Sequence, residues 1–142
     1  MYDNPEGLER FVKAQAGSYA AALGEIRQGR KRSHWMWYIF PQLRGLGYSS
    51  TAQYYGLRGL DEAKAYMRHS VLGPRLVEIS EALLELDTDD PLVVLGYPDD
   101  LKLRSCMTLF EQAAPEQPVF ARVLDKFYSG RRDGTTLSML SR

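Results

Sequence analysis

At 142 residues, with 44% hydrophobic and 25% charged side chains, the chain has the size and composition of one soluble globular domain, long enough to bury about 70% of its unfolded surface. Eighteen basic residues balance eighteen acidic ones, so no overall field draws the protein to nucleic acid or to an anionic membrane, and any attraction for an anion must be local. No apolar run approaches the ~20 residues of a membrane helix, and the polar stretch MYDNPEGLERF is unlike a signal peptide. The lone cysteine, Cys106, excludes an internal disulfide and a cysteine-built zinc site, and a reducing cytoplasmic location is expected.

Asn4-Pro5 offers a capping side chain followed by proline at a first helical position. Leu8, Phe11, Val12, Gln15, Tyr19, Leu23 and Ile26 then recur at helical spacing, which predicts one helix of roughly five turns closing at Gly29. Arg27 and Arg30 complement the negative end of its dipole. Met36 to Phe40 is an apolar run too short for periodicity to separate a strand from a helical turn, and Pro41 ends it. The stretch from Gly45 to Ser50 reads as a glycine-rich loop. Asp61 and Glu62 open a short helix reaching Met67. Ser70 and Pro74 begin the next, with Leu72, Leu76, Ile79, Leu83 and Leu86 as its stripe, and His69 before it reads as a surface or capping residue. Asp90-Pro91 repeats the cap-then-proline signal, and Gly96 closes a brief helical turn.

Pro98-Asp99-Asp100 starts a further helix, with carboxylates where the dipole favours them. Its residues Leu103, Cys106, Met107, Phe110 and Ala114 form one apolar stripe. Leu101, Ser105, Thr108, Leu109 and Gln112, on the roughly opposite side, mix apolar and small polar groups. A helix of that kind is expected to be buried between layers, its second face lining a polar cleft. After Pro115 and Pro118, Phe120, Val123, Leu124 and Phe127 mark a last full helix ending at Gly130. Asp133-Gly134 reads as a turn, with Thr135 or Thr136 capping a short terminal helix that carries Leu137 and Leu140. With no repeat, linker or low-complexity segment, the expectation is an all-α fold: residues 1–142 as a compact single-domain bundle of about six helices with irregular loops.

The runs GRKRSHWMWYIFPQLRGLG, LGPRL and DDLKLRSCMTLF, with ERFVKAQ near the start and FYSG…D…TL near the end, resemble a small bacterial family of unknown function often labelled calpastatin. The resemblance spans nearly the whole chain and implies a compact, mostly helical domain with no established activity, substrate or catalytic residue. The label is discounted, because that inhibitor is a largely disordered chain and this sequence reads as a packed globule. Where the family commonly carries a second serine, in SSMTLF, this chain has Cys106, which argues against a required thiol nucleophile.

The candidate functional residues fall in two distant segments. In GRKRSHWMWYIFPQ, Lys31 and Arg32 are candidates for an anion-binding rim, and His34 can donate a proton near neutral pH. Trp35 and Trp37 are candidate pocket walls able to stack on a flat ring, and aromatics of this kind also fill cores. Gln42 closes the same run. In DDLKLRSCMTLF, Asp100 is the candidate acid/base partner of His34, although Asp99 and Asp100 are also explained as first-turn carboxylates. Lys102 can balance a bound negative charge, while Ser105 and Thr108 can bond either a ligand or the preceding turn of backbone. Cys106 is read as a core thiol, and Tyr54-Tyr55 as pocket-wall candidates. Two histidines without carboxylates at ligand spacing support no metal site, and neither a phosphate loop nor a dinucleotide fingerprint nor a nucleophile elbow is present, so no cofactor is expected.

Together these features indicate a small, monomeric, ligand-binding domain, either a binder of a nucleotide-like or other anionic metabolite or an enzyme acting on one. The competing class is a protein-interaction module that exposes the aromatic run. Nucleic acid is disfavoured by the balanced charge. The small-molecule reading requires the two segments to meet in space.

Overall fold

The computed structural model describes residues 7–141, so the expected helix start at Asn4-Pro5 lies outside the described residues. Among the described residues there are ten helices: α1 (Glu9–Ala16), α2 (Tyr19–Arg27), α3 (Met36–Ile39), α4 (Ser50–Tyr55), α5 (Leu60–Arg68), α6 (Leu72–Leu84), α7 (Pro91–Leu95), α8 (Asp99–Ala113), α9 (Val119–Tyr128) and α10 (Gly134–Leu140). Among the same described residues, extended pairing is limited to an isolated parallel bridge between Leu43 and Leu57. The fold is all-α, as expected, with more helices than the six read from periodicity.

The surplus has local causes. The expected five-turn helix is two helices, broken where Gly17 and Ser18 interrupt the ladder and the Ser18 N–H turns back to the Gln15 carbonyl at 3.1 Å. Phe11 on α1 and Ile26 on α2 are both fully buried, so the apolar phase continues across the break and concealed it. The ambiguous run from Met36 resolves as a single helical turn, and α4 follows the glycine-rich loop with Ser49 Oγ accepting from the Ala52 N–H at 3.1 Å.

Of the helix starts signalled in the sequence, that at Asp90 is capped as read, while the starts of α6 and α10 engage other residues than Ser70 and the threonines. Asp90 accepts from the Leu92 N–H at 2.9 Å. The His69 Nδ1 atom accepts from the Val71 and Leu72 N–H groups at 3.1 and 3.3 Å, which braces the turn that leads into α6. At α10 the cap is Asp133 rather than a threonine, its carboxylate accepting from the Thr136 N–H at 3.2 Å.

Helix α8 packs against α5, α7, α9 and α10, and α6 packs against α2, α5 and α9. Leu103, Cys106, Met107, Leu109 and Phe110 are all fully buried, so α8 is enclosed on more than one side, while Gln112 at its far end is exposed. Burial pushes the Cys106 thiol well up, leaving a neutral core side chain with no nucleophilic thiolate. Gly73 lets α6 start against α5, because a Cβ there would stand 2.2 Å from the Met67 carbonyl oxygen. The buried Arg10 guanidinium bonds the Tyr54 and Gly56 carbonyls at 2.7 and 3.1 Å and Glu62 at 3.3 Å, tying α1 to the α4–α5 connection.

Candidate functional site

The two segments singled out in the sequence come together. The Lys31 N–H donates to the Val94 carbonyl at 2.7 Å, which lays the basic loop against α7. The Lys31 ammonium then reaches Asp99 Oδ2 at 3.0 Å, and Lys102, one turn along α8, reaches Asp99 Oδ1 at 3.1 Å. One carboxylate is thus shared by two ammonium groups. The Lys102 Nζ atom lies 3.8 Å from the Trp37 ring centroid, so the α3 aromatic and the α8 cation face each other directly.

Beside that contact opens a cleft of about 330 Å³. Trp37, Gln42, Leu46 and Gly47 form one wall, Pro98, Leu101, Lys102 and Ser105 the second, and Asp133 with Thr135 the end. The Leu43–Leu57 bridge holds the first wall: the Arg44 N–H donates to the Leu57 carbonyl at 2.8 Å, and the Leu57 N–H to the Gln42 carbonyl at 3.0 Å.

Asp133 organises the end wall. Its Oδ2 atom accepts from the Ser105 hydroxyl at 3.0 Å, the Thr136 hydroxyl at 2.5 Å and the Thr136 N–H, while Oδ1 lies 3.6 Å from the Arg104 guanidinium. Thr108, with no exposed surface, donates to the Arg104 carbonyl at 2.8 Å and accepts from the Asp133 N–H at 2.9 Å. Asp100 is buried, and the Tyr128 hydroxyl donates to its backbone carbonyl at 2.5 Å. Burial and the neighbouring Asp100 carboxylate push that tyrosine far up, so it stays a donor. Asp100 Oδ1 and Arg104 Nε are buried with no hydrogen-bond partner among the described residues. Lys31, Lys102 and Arg104 formally balance Asp99, Asp100 and Asp133. Of these six, Lys102 and Asp133 border the cleft, and both Asp133 oxygens have cationic or hydrogen-bonding partners.

Four sequence candidates, Trp37, Gln42, Lys102 and Ser105, line this cleft. Lys31 stands behind it through Asp99, and Thr108 braces Asp133. Trp35 is a core residue, 2% exposed, whose indole N–H donates to Glu25 at 2.9 Å. Arg32 and His34 are exposed and do not line the cleft. Glu25 takes the Arg32 N–H at 2.7 Å, and the His34 carbonyl accepts from the Tyr38 hydroxyl at 3.3 Å. His34 and Asp100, paired as acid and base in the sequence reading, are therefore not both presented to one cavity. Tyr55 packs on Tyr38 and Phe11, away from the cleft lining.

Asp133 and Thr135 escaped the sequence reading. The signal was available: an aspartate three residues before a threonine at a helix start is itself a capping pattern, but Asp133-Gly134 also spells a turn. A wider groove of about 760 Å³ lies between α5, α6 and the end of α8. Its charged residues, Lys64, Arg68, Glu78, Glu81 and Glu116, are all exposed, and neither buried unpartnered atom borders it. Among the described residues no group of three or more His, Cys, Asp or Glu is placed to hold a metal, and no helix is long and apolar enough to cross a membrane.

Among solved structures, the chain is similar to the crystal structure of the conserved hypothetical protein Rv1873 from Mycobacterium tuberculosis. The two are 46% identical, with a TM-score of 0.94 over 98% of this chain and 99% of that one. No curated protein matches the chain. Residues 5–140 match the model of a family described as protein of unknown function (DUF1810), and the chain belongs to that family.

Proposed function

We propose that this DUF1810 protein binds a small anionic molecule in the cleft between Trp37 and α8. The observation that carries the proposal is Lys102: its ammonium spends one contact on Asp99, lies over Trp37, and borders a cavity whose carboxylate, Asp133, is already occupied by other donors. Asp99 keeps Lys31 as a second partner, so Lys102 is free to share its charge with a ligand phosphate or carboxylate. Leu46, Pro98 and Leu101 supply apolar wall, and Ser105 supplies a hydroxyl, the mixture of apolar surface with a few placed polar groups that small-molecule sites show. Among the described residues the lining offers the Lys102 ammonium and the Ser105 hydroxyl beside apolar wall, which supports binding of an anion.

A thermal-shift screen against nucleotides, sugar phosphates and dinucleotides tests this. A ligand at ~100 times its dissociation constant should raise stability by ~2.7 kcal/mol, and Lys102→Met should abolish the rise. An unchanged response in Lys102→Met, or no response from the wild type to any anion, would overturn the assignment.

A second reading, a protein-interaction surface, is supported by different residues from those expected. Trp35 and Phe40 are buried, so the aromatic run is not a surface patch. Tyr48 and Tyr97, 85% and 77% exposed, are the chain neighbours of the cleft residues Gly47 and Pro98. Exchanging both for serine should leave small-molecule binding intact if the cleft is the working site.

A further inference from the structure

Gln42 is only 9% exposed, yet its side-chain amide makes no hydrogen bond to the described residues. Its bond in the fold is through the backbone, where its carbonyl accepts from the Leu57 N–H at 3.0 Å. Neither amide atom is among the fully enclosed, unpartnered atoms, so the amide keeps some accessible surface, and Gln42 is one of the residues that line the cleft. A primary amide sheltered in this way exchanges water for a partner on binding, and it offers one donor and one acceptor side by side. That pair is complementary to a flat ring bearing an amino group next to a lone-pair nitrogen, the arrangement by which glutamine holds adenine.

Ser105 adds a second fixed element. Its hydroxyl proton points to Asp133 at 3.0 Å or to the Leu101 carbonyl at 3.2 Å, so both of its good acceptors lie within the protein and its own lone pairs are what it presents to the cavity. The walls beside these groups are Leu46, Pro98 and Leu101, which suit a flat ring better than a short aliphatic amide. Resting on the cleft assignment above, we infer that Gln42 is a specificity-determining residue that reads the amino-bearing edge of a purine, with Lys102 holding the phosphate of the same nucleoside monophosphate.

The test compares adenosine 5′-monophosphate with purine riboside 5′-monophosphate, which lacks the exocyclic amine, by calorimetric titration of the wild type, Gln42→Leu and Lys102→Met. Inorganic phosphate serves as competitor. The wild type should prefer the aminated nucleotide by roughly ten- to hundredfold, Gln42→Leu should bind the two equally, and Lys102→Met should lose both. Equal affinities in the wild type overturn the inference, a result that stands even if Gln42→Leu fails to fold. So does a preference that survives Gln42→Leu. Phosphate binding that depends on Lys102, with no binding of either nucleotide, overturns the role of Gln42 and leaves the anion cleft standing. No binding of nucleotide or phosphate overturns both.

Discussion

Glu25 accepts the N–H groups of Arg32 and Ser33 at 2.7 and 3.0 Å, the Ser33 hydroxyl at 2.5 Å and the Trp35 indole N–H at 2.9 Å, so a single carboxylate fixes the course of the basic loop. Burial pushes this carboxyl up, but the bonds from Ser33, Arg32 and Trp35 outweigh it and hold the group at about 2, below its usual 4.5. A carboxyl depressed in the folded state stabilises fully above its unfolded value, and that contribution is lost as pH falls from about 4.5 toward about 2. Unfolding followed across this window should therefore show a shallower acid limb for Glu25→Gln than for the wild type. The tryptophans separate cleanly. Trp35→Ala should cost about 3–5 kcal/mol, as for a buried aromatic, whereas half-buried Trp37 should cost clearly less and weaken ligand binding. Lys102→Met should leave the unliganded protein within about 1 kcal/mol of the wild type, because Asp99 retains Lys31 and a partly exposed ion pair contributes little. A large loss on denaturant titration would make Lys102 a structural residue instead.

Helix α10 depends on the residue just before it. Asp133 caps it, accepts from Ser105 and faces Arg104, so Asp133→Ala removes a cap and takes the acceptor from the buried Thr136 hydroxyl, for an expected loss of about 2–3 kcal/mol. Asp133→Asn keeps an acceptor and should lose less, a difference read directly from urea midpoints. The α5–α6 joint makes the opposite kind of demand: Gly73→Ala drives a methyl into the Met67 carbonyl and should destabilise by ~1–3 kcal/mol or more. Gly24→Ala, inside α2 with open space around it, should be neutral or stabilising. Much of this element structure was legible because caps and periodicity are local physics: Asp90-Pro91, the α8 stripe and the α9 stripe needed no knowledge of the rest of the chain. The α1–α2 break was not legible, since Gly17 and Ser18 interrupt a ladder without disturbing the apolar phase. Nor was the preference of α10 for Asp133 over its threonines, because one dipeptide serves equally as turn and as cap.

At the scale of the molecule, the candidate site is a convergence of three segments separated by about thirty to about fifty residues of chain, and no local pattern encodes such a meeting. The sequence marked Trp37, Gln42, Lys102 and Ser105 by composition alone. Only the fold shows that they share a cavity, that Trp35 and Arg32 do not, and that Asp133 closes it. The balanced charge of the chain is repeated locally, with Lys31, Lys102 and Arg104 set against Asp99, Asp100 and Asp133. On the proposed assignment, attraction for an anion is a contact effect with little long-range steering. Raising salt from 50 to 200 mM should weaken ligand binding by less than about tenfold, far below the loss shown by proteins that neutralise a nucleic-acid backbone. The most direct measurement is a two-dimensional amide NMR titration of the whole chain with adenosine 5′-monophosphate. Saturable shifts should concentrate at Gly47, Lys102, Ser105, Thr135 and the side-chain amide of Gln42. Shifts centred instead on Lys64, Arg68 and Glu116 in the wider groove, or none at saturating ligand, would contradict the placement of function at the Trp37–Lys102 cleft.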